Sequence, residues 1–290
     1  MAAVQHSIGR LDAVHPTRTD LGVCVAPLLP TGGCMDRART GELIRADFNV
    51  LILCSGGSGD QVVDLGTHHH EAGSLLWLRP GRVHEKPPAV QGTVVCFTDA
   101  FVGAEPALRA ETSSWILGPD DLGDIRAHLA VLEGEYQRYV FGPTGPHLVR
   151  GEAMLNLLLR ALLLRVAQAP GLRPRLEPGP VVRTHPVAEA FLALVERSYA
   201  SIHTVGAYAT VLGYSAKTLE RASIEATGLN PKQVIDARLV LEARLLLSHT
   251  NLSVSAVGRR LGFVDPANFC KFFLRAGEMS PGAFRSSLRH

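Results

Sequence analysis

Lys217, Glu220 and Arg221 sit in a short run whose apolar residue, Leu219, must point the other way, and Asn268 and Lys271 sit likewise among Phe269, Phe272 and Phe273. With Leu219 facing in, Ala216 also stays outside. Ser215 precedes the first set, Thr218 lies within it, and Ala267 precedes the second. The hydrogen-bonding patterns are those that distinguish base edges: Arg can take guanine O6 and N7 together, Lys does so less rigidly, Glu accepts from cytosine N4, and Asn can pair with adenine. A third set offers different chemistry. His68, His69, His70, Glu71 and His84 combine imidazoles with a carboxylate, the donor types of Fe, Mn, Ni or Zn sites.

The frame that must position the first two sets is a repeat. Thr204-Val-Gly-Ala-Tyr-Ala-Thr-Val-Leu-Gly213 is answered by Ser253-Val-Ser-Ala-Val-Gly-Arg-Arg-Leu-Gly262. Each copy opens on a hydroxyl residue suited to cap a helix and closes on a glycine stop. An aromatic follows (Tyr214, Phe263), then a second cap (Ser215, Asp265) and a second apolar-periodic run. Helix, tight turn, helix is the pattern whose second helix can enter a DNA major groove. Between the copies, Pro231 to about His249 contains no breaker, and Ile235, Leu239, Leu245 and Leu246 give it an apolar face. A helix of that length spans roughly 28 Å, close to the roughly 34 Å of one DNA turn.

Arg238-Leu-x-x-Glu-Ala-Arg-x-Leu-Leu, Leu261-Gly-Phe263, Phe269 to Phe273, Ser280-Pro281 and Phe284-Arg285 together resemble the tandem helix-turn-helix domain of AraC/XylS transcription regulators. The resemblance covers about the last hundred residues. It implies double-stranded DNA as partner and places base-reading positions at Lys217, Glu220 and Arg221. The chain departs from the family pattern at Ser223 and Ile224, where Phe and Lys are usual, and at Leu274, where Lys is usual. It departs again at Gly258, where Ala is usual, and at Glu278, where the closing Gly is displaced to Gly277. A polar Ser223 in a core position and the cations lost at Ile224 and Leu274 are expected to weaken the fold or its grip on phosphate, affinity more than fold.

From Asp47 the sequence turns to short β-rich runs: Phe48 to Cys54, a Gly56-Gly-Ser-Gly-Asp60 turn, Gln61 to Thr67, Ser74 to Leu78, and Thr93 to Thr98. Such runs suggest a small barrel. Gly73-Ser-Leu-Leu-Trp-Leu-Arg-Pro-Gly-Arg-Val-His84 resembles the second cupin motif found in the N-terminal sensor of many AraC-type regulators. His68, His70 and His84 are then the metal candidates. The three consecutive histidines, however, stand just before Gly73, where a turn is expected, so the reading adopted is a polar hairpin tip with His84 ending a strand, and no metal or other cofactor. A small-molecule effector of unassigned chemistry is expected in the barrel, with Trp77 and His84 as candidate contacts. Which face of Ser74 to Leu78 lies inside is open at this stage.

From Asp120 the period is helical, with Leu122, Ile125, Leu129, Leu132 and Tyr136, and a second leucine-rich helix runs from His147 to Ala169. In relatives such helices often dimerise, which makes a homodimer the expected assembly. Four prolines between Pro170 and Pro180 mark a linker.

The chain has 290 residues with a net charge of only +2, yet from Val182 onward 13 Lys and Arg face 8 Asp and Glu, a balance of +5. A basic end suits phosphate contacts. The 25 arginines against four lysines are spread over both halves and reflect composition bias. Five cysteines, Cys24, Cys34, Cys54, Cys96 and Cys270, form no paired motif and read as reduced structural thiols. No apolar run reaches membrane length and no signal peptide opens the chain, so it is read as cytoplasmic, without membrane contact.

The expectation is therefore an α+β protein of two domains and no catalytic residues. Residues 1–169 form a cupin-like sensor whose helices, about 120–169, dimerise; 170–183 are the linker; and 184–290 form two helix-turn-helix units joined by a long helix. Its activity is sequence-specific transcription regulation, with RNA polymerase as a possible further partner. The rival readings are a metal-dependent cupin enzyme and a helical module that binds protein.

Overall fold

A computed structural model describes residues 8–11, 14, 15, 18, 20–28, 43–103, 113–142, 150–169, 185–277 and 279–288. They fall into two compact units, one before and one after residues 170–184. The proline-rich stretch read as a linker lies outside the described residues, as do most of residues 1–40.

The N-terminal unit holds two five-stranded sheets. The first runs β1 (Gly9–Leu11), β3 (Leu43–Ala46), β8 (Val83–Glu85), β5 (Gly59–Val63), β6 (Gly66–His70). The second runs β10 (Ser113–Ile116), β7 (Ser74–Leu78), β4 (Asn49–Gly56), β9 (Gln91–Phe97), β2 (Val23–Pro27). The two are separate ladders. After the short α1 (Asp99–Val102), α2 (Pro119–Phe141) and α3 (Gly151–Gln168) pair with each other, and their buried Ile125, Leu129, Leu132, Leu155, Leu159 and Leu162 join one apolar core with the second sheet.

That cover explains the second sheet's sequence. Every residue of β7 and the first six of β4 are buried, so both faces of these strands are inside, and the runs are continuously apolar rather than alternating. Leu75 and Trp77 face one side and Leu76 and Leu78 the other, all within the core. In the first sheet, β5 and β6 alternate between buried and open residues, as a half-solvated ladder should.

The strand expected from Gln61 to Thr67 is split into β5 and β6 by a turn at Asp64-Leu65, where Asp64 takes a positive φ of 53°. The Asp64 carboxylate accepts from Arg82 Nη1 at 2.7 Å and from the Val83 amide at 3.0 Å. Consequently His68, His69 and His70 lie within β6 and not at a hairpin tip, which corrects the sequence-based expectation. Cys24, Cys54 and Cys270 are free thiols. Cys96 is disulfide-bonded and so departs from the all-reduced reading.

The C-terminal unit is all helical: α4 (Pro186–Ser198), α5 (Val205–Leu212), α6 (Ala216–Thr227), α7 (Pro231–His249), α8 (Val254–Arg260), α9 (Pro266–Gly277) and α10 (Pro281–Ser287). Side-chain caps set the starts. Thr204, Ser215, Ser253 and Ser280 each accept from the amide three residues on, and Asn230 forms a reciprocal capping box with Gln233. Gly213 and Gly228 end α5 and α6 in the left-handed conformation.

Helix α7 has buried residues on more than one side, because α4 and α6 pack on it from the first helix-turn-helix and α8, α9 and α10 from the second. Its Arg238 is 8% exposed. There it donates to Glu196 of α4 at 2.8 Å and to Glu242 at 3.1 Å, with its guanidinium 4.0 Å from the Tyr199 ring centroid.

Candidate nucleic-acid interface

In the first helix-turn-helix, Leu219, Ala222 and Ser223 turn inward from α6, while Ala216, Lys217, Glu220 and Arg221 are exposed. The last three make no hydrogen bond or ion pair with any described residue. Ser215 caps the helix through the Thr218 amide at 3.1 Å, and its hydroxyl meets that of Thr218 at 2.8 Å. These two groups therefore hold the helix start that presents Lys217.

Ser223 is fully buried but not a defect. Its hydroxyl donates to the Leu229 carbonyl at 2.8 Å, and Thr227 donates to the Ser223 carbonyl at 2.7 Å, which closes the end of α6. The expected weakening is thus offset by a satisfied hydrogen bond.

In the second unit Phe269, Phe272 and Phe273 are buried, and Ala267, Asn268 and Lys271 are exposed. Asp265 opens α9 by accepting from the Ala267 amide at 2.9 Å. Phe263 packs against Phe269 and Phe272 with ring centroids 5.5 and 5.2 Å apart, which fixes the turn before the helix. Gly262 is required there: its φ is +83°, and a Cβ would stand 2.0 Å from the Ala200 carbonyl oxygen. Gly258 lets α8 approach α9, since a Cβ would meet Phe269 Cβ at 2.9 Å.

Sequence reasoning missed a cavity of about 310 Å³ beside α9, rimmed by Lys232, Asn268, Lys271 and Arg275 over Phe263 and Phe272. Arg275 follows Asn268 and Lys271 at helical spacing and was legible. Lys232, on another helix, was not.

His68, His70 and His84 fall on one face of the first sheet. His84 lies opposite Ile44 and Val63, Gln61 opposite His68, and His70 two residues further, so all share the inward side, while His69 points away to Asp60 at 2.7 Å. His70 Nε2 donates to Gln61 Oε1 at 2.7 Å; Gln61 Nε2 and His84 Nδ1 donate to the Glu85 carbonyl at 2.7 and 2.9 Å. His84 Nε2 is left as a buried acceptor with no described partner. Burial pushes both His70 and His84 down to about 4, so both are neutral at pH 7. Among the described residues no three His, Cys, Asp or Glu side chains are arranged to hold a metal ion. Trp77 is a core residue, with its indole donating to Asn49 Oδ1 at 3.1 Å.

Residues 208–287 match the profile of a family described as a helix-turn-helix domain. Over 254 residues the chain is 33% identical to the HTH-type transcriptional activator RhaS of Shigella sonnei (strain Ss046), covering 82% of this chain and 85% of that protein. The chain belongs to the AraC/XylS family. This AraC/XylS protein is a DNA-binding transcription regulator and not an enzyme. Among solved structures it is similar to ToxT from Vibrio cholerae, at 10% identity over 93% of this chain and 96% of that one, with a TM-score of 0.38. It is also similar to the DNA-binding domain of AdpA in complex with a target DNA, at 30% identity over 37% and 95%, with a TM-score of 0.33. No described helix of the regulator is long and apolar enough to cross a membrane.

Proposed function

We propose that the regulator reads double-stranded DNA through two helices, with Lys217, Glu220 and Arg221 of α6 and Asn268 and Lys271 of α9 on base edges. Ser215, Thr218 and Ala267 form the lip of each contact. The observation that carries this is the exposure, without any described partner, of the Lys217, Glu220, Arg221, Asn268 and Lys271 side chains on the outward faces of two capped second helices. A buried Arg or Glu committed to an ion pair would be unavailable for bases; these are not committed.

In this reading residues 1–169 form a cupin-like domain that binds a small-molecule effector, residues 170–183 link it to the rest, and 184–290 contact DNA. The unmatched acceptor His84 Nε2, on the buried face that also carries Gln61 and His70, supports a ligand that donates a hydrogen bond there. Effector binding shifts the equilibrium between DNA-competent and incompetent states by its differential affinity for them. The exposed apolar residues Met154, Leu157 and Leu164, at helical spacing on α3, support a homodimer through that helix. The name of its relatives, transcriptional activators, supports activation as its mode, and in this reading RNA polymerase is a further partner and the cytoplasm its place.

The test is binding to the intergenic DNA beside its own gene over a salt series, with Arg221→Ala and Lys271→Ala. Each substitution is expected to cost about 1–3 kcal/mol and to relax base preference at one position. Wild-type binding indifferent to sequence, with and without candidate effectors, would overturn the reading.

A further inference from the structure

The cavity beside α9 gathers like charges. Lys232, Lys271 and Arg275 line it together, and the adjoining carboxylate Asp236 serves two of them, at 2.6 Å from Lys232 Nζ and 4.0 Å from Arg275. Lys271 has no described hydrogen-bond or ion-pair partner. Three cations against one carboxylate leave a surplus of positive charge that a bound anion would relieve.

The site is held by elements of both helix-turn-helix units. Lys232 follows the Asn230 cap at the start of α7, and its Nζ also donates to the His203 carbonyl at 3.4 Å. His203, in the turn before α5, donates from Nε2 to the Leu261 carbonyl at 2.8 Å and lies 4.9 Å from the Phe263 ring. Asn268, Lys271 and Arg275 form one stripe of α9, with the proposed base contacts toward its start and Arg275 further along. In a docked reading helix the start meets base edges and the flanks meet the backbone.

We infer that this cavity seats one phosphate of the DNA backbone between Lys232 and Arg275, which fixes the depth and register of α9 in the groove. The inference rests on the DNA-reading role proposed for that helix. The occupant is a phosphodiester, so the contact is independent of sequence and adds to the salt dependence of binding.

The experiment measures full-length protein on a random-sequence duplex of about 30 base pairs, roughly three turns, across a salt series. It uses wild type, Lys232→Gln/Arg275→Gln, the charge-conserving Lys232→Arg, and Asp236→Asn. In parallel, wild type and the double variant select binding sites from a random pool. The double variant is expected to lower the slope of log K against log salt by about one, the loss of one phosphate, with its selected sequence unchanged. Lys232→Arg keeps the slope, and Asp236→Asn binds more tightly than wild type, an effect that a merely structural ion pair would not produce. An unchanged slope in the double variant, while wild type still selects a sequence, overturns the phosphate seat and leaves the reading helices standing. If wild type selects no sequence, the reading role falls first and the seat with it. If inorganic phosphate at matched ionic strength displaces wild type from DNA while the double variant keeps the full slope, the cavity takes a free anion and the inference is wrong.

Discussion

Replacing Arg238 by alanine tests the joint between α7 and α4. Arg238 and Glu242 are 8% and 6% exposed at their side chains, whereas Glu196 is 51% exposed. Breaking a buried ion pair from one side costs about 3–5 kcal/mol, and the packing of the guanidinium on Tyr199 is lost as well. Glu196 can rehydrate, so Glu196→Ala is expected to cost no more than about 1 kcal/mol. Arg238→Ala/Glu242→Ala should cost less than the sum of the single changes, by at least about 1 kcal/mol of coupling. The assay is urea unfolding of the full chain followed by two signals. Both tryptophans, Trp77 and Trp115, lie in the N-terminal unit, so their fluorescence reports that unit, while circular dichroism at the helical band is dominated by the C-terminal helices. Arg238→Ala should move the helical transition to lower urea and leave the fluorescence transition in place. A shift no larger than that of Glu196→Ala, or strict additivity in the double variant, would refute the account of Arg238 as a buried keystone.

The same two signals serve two further predictions. His70 and His84 titrate near 4 in the folded chain and at the ordinary 6.5 when unfolded, so the unfolded state binds more protons between these values. Stability of the N-terminal unit should therefore be fully present above pH 6.5 and fall as the pH drops toward 4; His84→Gln should make that fall shallower in fluorescence-detected urea midpoints. Gly258→Ala restores the residue usual in the family and removes a helical glycine worth up to about 1 kcal/mol, but overpacking Phe269 costs about 1–3 kcal/mol. A net loss of helical stability is expected, and a gain would show that α8 can shift freely.

The C-terminal unit was legible because its signals are local. Caps at Thr204, Ser215, Asn230, Ser253 and Asp265 and stops at Gly213, Gly228 and Gly262 act on adjacent backbone, so α7 begins at Pro231 and ends at His249 as the periodicity predicts. The N-terminal unit resisted for the opposite reason. The β5–β6 turn is held at Asp64 by Arg82 and Val83, residues of a later segment, and no local count from Gly73 places it. The face of β7 was undecidable because neither face is open: the second sheet shares its core with helices supplied by sequence some fifty residues downstream. Ser223 reads as a packing fault from sequence because its partner, the Leu229 carbonyl, belongs to the loop beyond the helix end.

The strand register has a consequence in time. In the N-terminal unit Val23 lies opposite Phe97, so the edge of the second sheet cannot close until a loop of more than seventy residues has been gathered in. In the C-terminal unit α5, α6, α7, α8 and α10 each start at a side-chain cap three residues from the amide it satisfies, and the helices that touch lie close together in the chain. Topologies rich in near-neighbour contacts fold orders of magnitude faster than those built on distant strand pairing. During refolding, the surface proposed to meet DNA is therefore expected to be complete while the domain proposed to govern it is still assembling, which opens an interval of ungoverned binding.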